Sequence, residues 1–230
     1  MKALLLCTAI VAGFALQSTA QQSRDINQQV ILGTGADAFV AEIWVDNWFA
    51  AHVNGAPLAE DSVAYNTERS FNAEVVQFTA DMPMLLAFEF RDFKENDTGL
   101  EYIGSNRQQM GDGGAIVQIK DSAGQVISVS NRDWRCLVVH QAPVQPSCAK
   151  ESNPQVGQGA CRANMSEVPA DWTTAEFDDS GWLDAVEYSE SAVRPKMGFD
   201  AIDWNSKAEL IWSGDLERDN TVLCRTTIGG

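Results

Sequence analysis

The chain has 230 residues, with 32 acidic side chains against 16 basic ones, a formal net charge of −16 and a pI near 4.3. That balance excludes nucleic acid and anionic membrane surfaces as partners, since both would be repelled rather than steered toward the protein. It leaves neutral or cationic partners, and it also confers solubility.

Met1-Lys2-Ala3, the apolar run Leu4 to Leu16 and Gln17-Ser18-Thr19-Ala20 have the charged start, greasy middle and small-residue end of a secretory signal peptide at 1–20. The run is too short to span about 30 Å of hydrocarbon, so no membrane insertion is expected. Cleavage after Ala20 leaves 210 of the 230 residues and, with Lys2 gone, a charge of −17. Residues 21–230 are expected to form a single secreted β domain, extracellular or periplasmic. Cys7 leaves with the leader, and the even number that remains, Cys136, Cys148, Cys161 and Cys224, implies two disulfides in an exported chain. Three pairings are possible. Cys148 to Cys161, closing a Pro/Gly/Gln-rich insert at about 141–163, and Cys136 to Cys224, tying two strand segments, are favoured over a metal site, because no Cys-x-x-Cys pair is present.

Gln21 to Gln29 reads as a loose polar lead-in to a strand at Val30 to Leu32. The next segment is the most informative. Phe39, Ala41, Ile43 and Val45 alternate with Val40, Glu42 and Trp44, the period of a strand with one face on a core. Asp46-Asn47 interrupts the alternation, and a second run, Trp48 to Val53, ends at Asn54-Gly55, which suits a type I′ hairpin turn. Val75, Gln77 and Thr79, then Leu86, Phe88 and Phe90, predict an antiparallel pair joined at 80–83. Ala115 to Ile119 and Gln125 to Val129 predict a hairpin, and Trp134 to His140, Glu209 to Trp212 and Thr221 to Thr227 add further strands. Helical periodicity is nearly absent, so the fold expected is all-β.

The order strand, Asp-Asn-Trp-Phe, strand, Val-Asn-Gly resembles a segment of the galactose-binding-like modules that accompany rhamnosidases and other glycoside hydrolases. Phe177-Asp178-Asp179-Ser180-Gly181-Trp182 is similar to a second motif of the same modules, in the same order along the chain. The resemblance spans the β-rich body but not the insert. It implies an antiparallel jelly-roll β-sandwich and a non-catalytic role in recognising carbohydrate or another extracellular surface ligand, such as a surface protein. In those modules the aspartates of the second motif shape a turn while its Trp packs inward.

Residues 93–114 are polar and glycine-rich, and loops of that length often carry function. Asp92, Glu101, Tyr102, Arg107 and Asp112 are therefore candidate ligand contacts. Trp48 and Trp204, each flanked by Asp and Asn, are candidates at an edge, because flat rings suit the C–H faces of sugars. Trp44, Trp172, Trp182 and Trp212 fit a core better. Asp92, Glu95, Asp97 and Glu101 are hard oxygen donors that could hold a structural calcium, although their spacing is not that of an EF-hand. No nucleophile motif, phosphate loop or zinc motif is present. His52 and His140 read as structural. A small carboxylate-dependent polysaccharide hydrolase or lyase is the enzymatic alternative, since 32 acids leave many possible pairs. A structural cell-surface interaction protein is the other.

Overall fold

The computed structural model describes residues 26–229 apart from 32, 34 and 70. The expected leader at 1–20 and the end of the expected first strand, Leu32, lie outside the described residues. Two large sheets face each other and hold nearly all of the regular secondary structure. In the first, the order is β1 (Ile26–Val30), β5 (Ala73–Ala80), β2 (Asp37–Asp46), β9 (Gly114–Asp121), β15 (Leu210–Trp212) and β14 (Val186–Tyr188), with β10 (Val126–Val129) also on β9. In the second it is β12 (Asn164–Met165), β11 (Arg135–Gln141), β16 (Asp219–Ile228), β6 (Met84–Arg91), β3 (Trp48–Val53) and β4 (Ala56–Glu60), with β13 (Leu183–Asp184) also on β11. A small separate pair joins β7 (Leu100–Glu101) to β8 (Gln109–Met110).

Alternation decides what each face does. Phe39, Ala41, Ile43 and Val45 of β2 meet Phe88 and Phe90 of β6 and Val222 and Cys224 of β16 in one core, with Trp134 and Trp212 closing it. Trp44 points the other way. It packs with Ile116, Leu210 and Phe199 beneath the short helix α1 (Glu190–Val193), which contributes Val193. The outer face of the second sheet is covered by Trp172 and Trp182 on Ala87, Val139 and Leu223. Each large buried ring contributes on the order of 2–3 kcal/mol relative to exposure, so the sandwich is held by three apolar layers rather than one.

The second resembling motif acts as an anchor for that outer layer. Asp178 Oδ1 accepts from the Ser180 N–H at 3.0 Å, which shapes the turn, and Asp179 Oδ2 receives Arg225 Nη1 at 2.7 Å. Arg225 is buried in β16 and also donates to the carbonyls of Thr174 and Phe177. The expected hairpin at Asn54-Gly55 is present, with φ of 49° and 84° and Val53 opposite Ala56. Pro57 is tolerated because β4 is an edge strand.

Two expectations change. Strands β5 and β6 do not pair with each other: β5 lies between β1 and β2, while β6 lies between β16 and β3. Both segments are buried along one face, and 80–83 carries the chain across the core from one sheet to the other instead of folding it back. From Ile26 the expected lead-in is also not loose, while its first part, 21–25, lies outside the described residues. Asn27 and Gln29 of β1 donate to Glu74 Oε2 at 2.7 and 3.0 Å, while Ser62 N and Asn72 Nδ2 donate to Oε1. A polar ladder around a buried carboxylate leaves no hydrophobic periodicity to read.

Cys136–Cys224 and Cys148–Cys161 are both bonded. Two disulfides fit an oxidising, extracellular environment, and no described helix is long and apolar enough to cross a membrane.

Candidate functional site

Strand ends converge at one end of the sandwich. Register sets Asp46 opposite Gly114 across β2 and β9, and Trp48 opposite Arg91 across β3 and β6. The chain therefore leaves the first sheet at Asp46, passes a cis Asp46–Asn47 peptide and enters the second sheet beside the end of β6. Asn47 fixes this crossing: its Oδ1 accepts from the Phe93 N–H at 2.6 Å and its Nδ2 donates to the Glu68 carbonyl at 3.2 Å. Asp46, at the end of β2 in one sheet, and Asp92, just past the end of β6 in the other, are thereby delivered to one place.

Asp112, from the loop before β9, completes the group. One carboxylate oxygen from each of Asp46, Asp92 and Asp112 lies within 4.8 Å of the other two. Asp46 and Asp92 are 0% exposed. Lys196 Nζ donates to Asp46 Oδ2 and to Asp112 Oδ2, each at 3.0 Å. Among the described residues, Asp46 Oδ1 and both carboxylate oxygens of Asp92 have no hydrogen-bond partner. The Tyr65 hydroxyl donates to the main-chain carbonyl of Asp92 at 2.7 Å, so it fixes the backbone there rather than the carboxylate. Glycine is required at position 111, because a Cβ there would stand 1.6 Å from Asp92 Oδ2.

The electrostatics reflect that crowding. Burial pushes the Asp46 carboxyl up to about 8, with the Asp112 charge adding to it and Lys196 working against it. Burial, then the charges of Asp46, Glu101 and Asp112, hold Asp92 well above the usual carboxylate range; the Asp112 backbone amide approaches it without closing a hydrogen bond. Burial disfavours the Lys196 charge, but Asp46 and Asp112 outweigh it and push its ammonium up to about 12.

A cleft of about 460 Å³ opens above this group. Asp112 and Lys196 form its floor, Glu68, Arg69 and Phe71 one wall, and Glu101, Tyr102, Arg107 and Gln109 the other. The Arg107 guanidinium covers one face of the Tyr102 ring at 4.2 Å, and Lys196 Nζ sits over Phe71 at 4.4 Å. Gln109 Nε2 donates to Glu101 Oε2 at 2.9 Å. Burial pushes Glu101 up to about 7, with the Gln109 hydrogen bond opposing and the Asp112 charge adding.

The second wall is the β7–β8 hairpin, and it is propped from behind. Leu100 is buried against the Cys148–Cys161 disulfide with Ile103 and Met110 at its side, and Gln108 Nε2 donates to the carbonyls of Ala149 and Glu151 at 3.0 and 2.8 Å. The insert thus positions the cleft.

Of the expected contact residues, Glu101, Tyr102, Arg107 and Asp112 line the cleft, and Asp92 lies buried beside Asp112. Trp48 does not join them: it packs on Tyr65, with Arg91 over its ring at 4.7 Å. Trp204 packs on Phe199 outside the first sheet, its Nε1 donating to the Phe199 carbonyl at 2.9 Å. The four acids expected for calcium are also not gathered. Glu95 Oε1 accepts from the Ile103 N–H at 2.8 Å, and Asp97 pairs with Lys94 at 2.6 Å and faces His140, so the hairpin uses both for its own turns. Sequence reasoning misses Asp46 and Lys196. The interrupted alternation at Asp46-Asn47 is a usable signal for the first; Lys196, 150 residues away in sequence, has none.

No protein-family model, no curated protein and no solved structure matches this chain.

Proposed function

We propose that this chain is a secreted, non-catalytic binding module of jelly-roll, galactose-binding-like type, and that it recognises carbohydrate through the 460 Å³ cleft. The two sequence motifs support the family, and the two facing sheets are compatible with it. The observation that carries the reading is the lining of the cleft. It sets two rings, Tyr102 and Phe71, among planar polar side chains, Gln109, Arg69, Arg107 and Glu101, which is the mixture of apolar faces and directed donors and acceptors that sugars require. Tyr102 is fixed at φ 51°, directly after β7, so its ring belongs to a constrained turn rather than a free loop.

The test is retention on a broad glycan array. Wild-type protein is expected to select a set of related glycans, and Tyr102→Ala is expected to weaken retention by several-fold, up to about tenfold, since ring stacking contributes about 0.5–1.5 kcal/mol. Selective capture of proteins with no glycan retained would favour the interaction-protein reading instead.

One observation favours an enzymatic reading. Glu101 borders the open cleft with its carboxyl pushed up to about 7, the range of a general acid at neutral pH. That reading requires turnover of a polysaccharide that is lost in Glu101→Gln, and product-free incubation with a broad polysaccharide panel would remove it.

A further inference from the structure

Beneath the cleft, three carboxylates face a single ammonium, and the hydrogen bonds around them leave specific atoms unused. Lys196 takes one oxygen each from Asp46 and Asp112. What remains is Asp46 Oδ1 and the whole carboxylate of Asp92, on side chains that are 0% exposed. A buried polar atom without a partner costs on the order of 1–3 kcal/mol, and more for a charged group, so three such oxygens at one point need an explanation beyond packing. Among the described residues the nearest polar groups supply none: Asn47 is spent on Phe93 and Glu68, and Tyr65 on the Asp92 carbonyl.

We propose that Asp46, Asp92 and Asp112 form a divalent-cation site, with calcium the best-fitting ion, and that Lys196 competes for it as an internal cation. Coordination supports the choice. One carboxylate oxygen from each aspartate lies within 4.8 Å of the other two, close enough for small side-chain shifts to bring all three onto one ion. Calcium accepts such irregular oxygen geometry, whereas magnesium demands a near-ideal octahedron and keeps several waters. Charge supports it as well: with all three carboxylates ionised, one lysine leaves two negative charges, which a divalent ion neutralises, and ion binding releases any protons the carboxyls carry in its absence. Donor type agrees, since every available atom is a hard carboxylate oxygen. Asp112 opens the site to the cleft, which gives the ion a route in. This site is independent of whether the cleft binds glycans.

The experiment is calorimetric titration of calcium chloride into chelator-treated, full-length mature protein, with thermal melts in calcium and in chelator. One calcium per chain and a raised melting temperature are expected. Asp92→Asn is expected to weaken calcium binding by at least about thirtyfold, while its melt in chelator stays near or above that of wild type, because burial already disfavours the charged carboxylate there and the amide is neutral. Lys196→Gln is expected to tighten calcium binding by about tenfold, since it deletes a like charge beside the ion. The second variant keeps the test decisive if the first fails to fold. Absence of calcium, magnesium or manganese binding at millimolar concentration would overturn the proposal and leave the three aspartates as a proton-sharing cluster. Unchanged calcium affinity in both variants would overturn it too, by placing the ion on the acidic surface.

Discussion

Asp61 is a carboxylate that owes its properties to burial more than to its partners. It is 8% exposed just past the end of β4, its Oδ1 accepts from the Val63 N–H at 2.8 Å, and Glu74 stands nearby. Burial pushes its carboxyl up to about 7, the Val63 hydrogen bond working against this and the Glu74 charge adding to it. In the unfolded chain the same group ionises near 3.8. The folded protein thus keeps a proton that the unfolded chain releases. Its favourable contribution is complete below pH 3.8, shrinks as pH climbs toward 7 and is flat above that. The gap corresponds to an upper bound of about 4 kcal/mol. Asp61→Asn is therefore expected to melt like wild type at pH 4 and several degrees higher at pH 8, as followed by thermal denaturation across that range. A difference that does not change with pH would rule this account out.

At the scale of elements, alternation in the sequence reveals strands but not the sheet each strand joins. Phe39 to Val45 and the Asn54-Gly55 hairpin are legible because period and turn chemistry are local. The separation of β5 from β6 is not, because two buried strands joined by a short link have the same alternation whether they pair or cross the core. The candidate site is half legible for the same reason. Glu101, Tyr102, Arg107 and Asp112 stand out within one polar stretch, whereas Asp46 and Lys196 arrive through long-range register and packing. The Cys148–Cys161 pairing is legible, but its consequence is not: the insert it closes is the support of the β7–β8 hairpin. Replacing both cysteines by alanine is expected to loosen that hairpin selectively. Amide exchange at 99–110 should speed up by about tenfold or more while β6 and β16 stay protected, as local opening of a marginal unit would require. Equal loss of protection throughout would instead make the insert part of the global core.

For the molecule as a whole, the two disulfides are expected to differ in a way that loop length determines. Cys136–Cys224 spans 88 residues and joins β11 to β16 at directly opposed positions in the second sheet, whereas Cys148–Cys161 spans 13 within the insert. A cross-link limits the unfolded chain more as the loop it closes grows. In the chain-entropy account this amounts to about 4.6 kcal/mol for the longer loop and about 2.9 kcal/mol for the shorter. All four cysteines are at most 4% exposed, so truncation to alanine leaves similar cavities and largely cancels from the comparison. Location adds to the difference, because β16 touches β6 and β11 along most of its length, while the insert touches mainly the cleft wall. The Cys136→Ala/Cys224→Ala protein is therefore expected to lose about 1.7 kcal/mol more than Cys148→Ala/Cys161→Ala, read as urea midpoints at one pH, and its melting temperature should fall by roughly 10 °C or more from wild type. Equal losses would mean that the second sheet keeps β11 and β16 together even in the denatured ensemble, and that the longer bond constrains little.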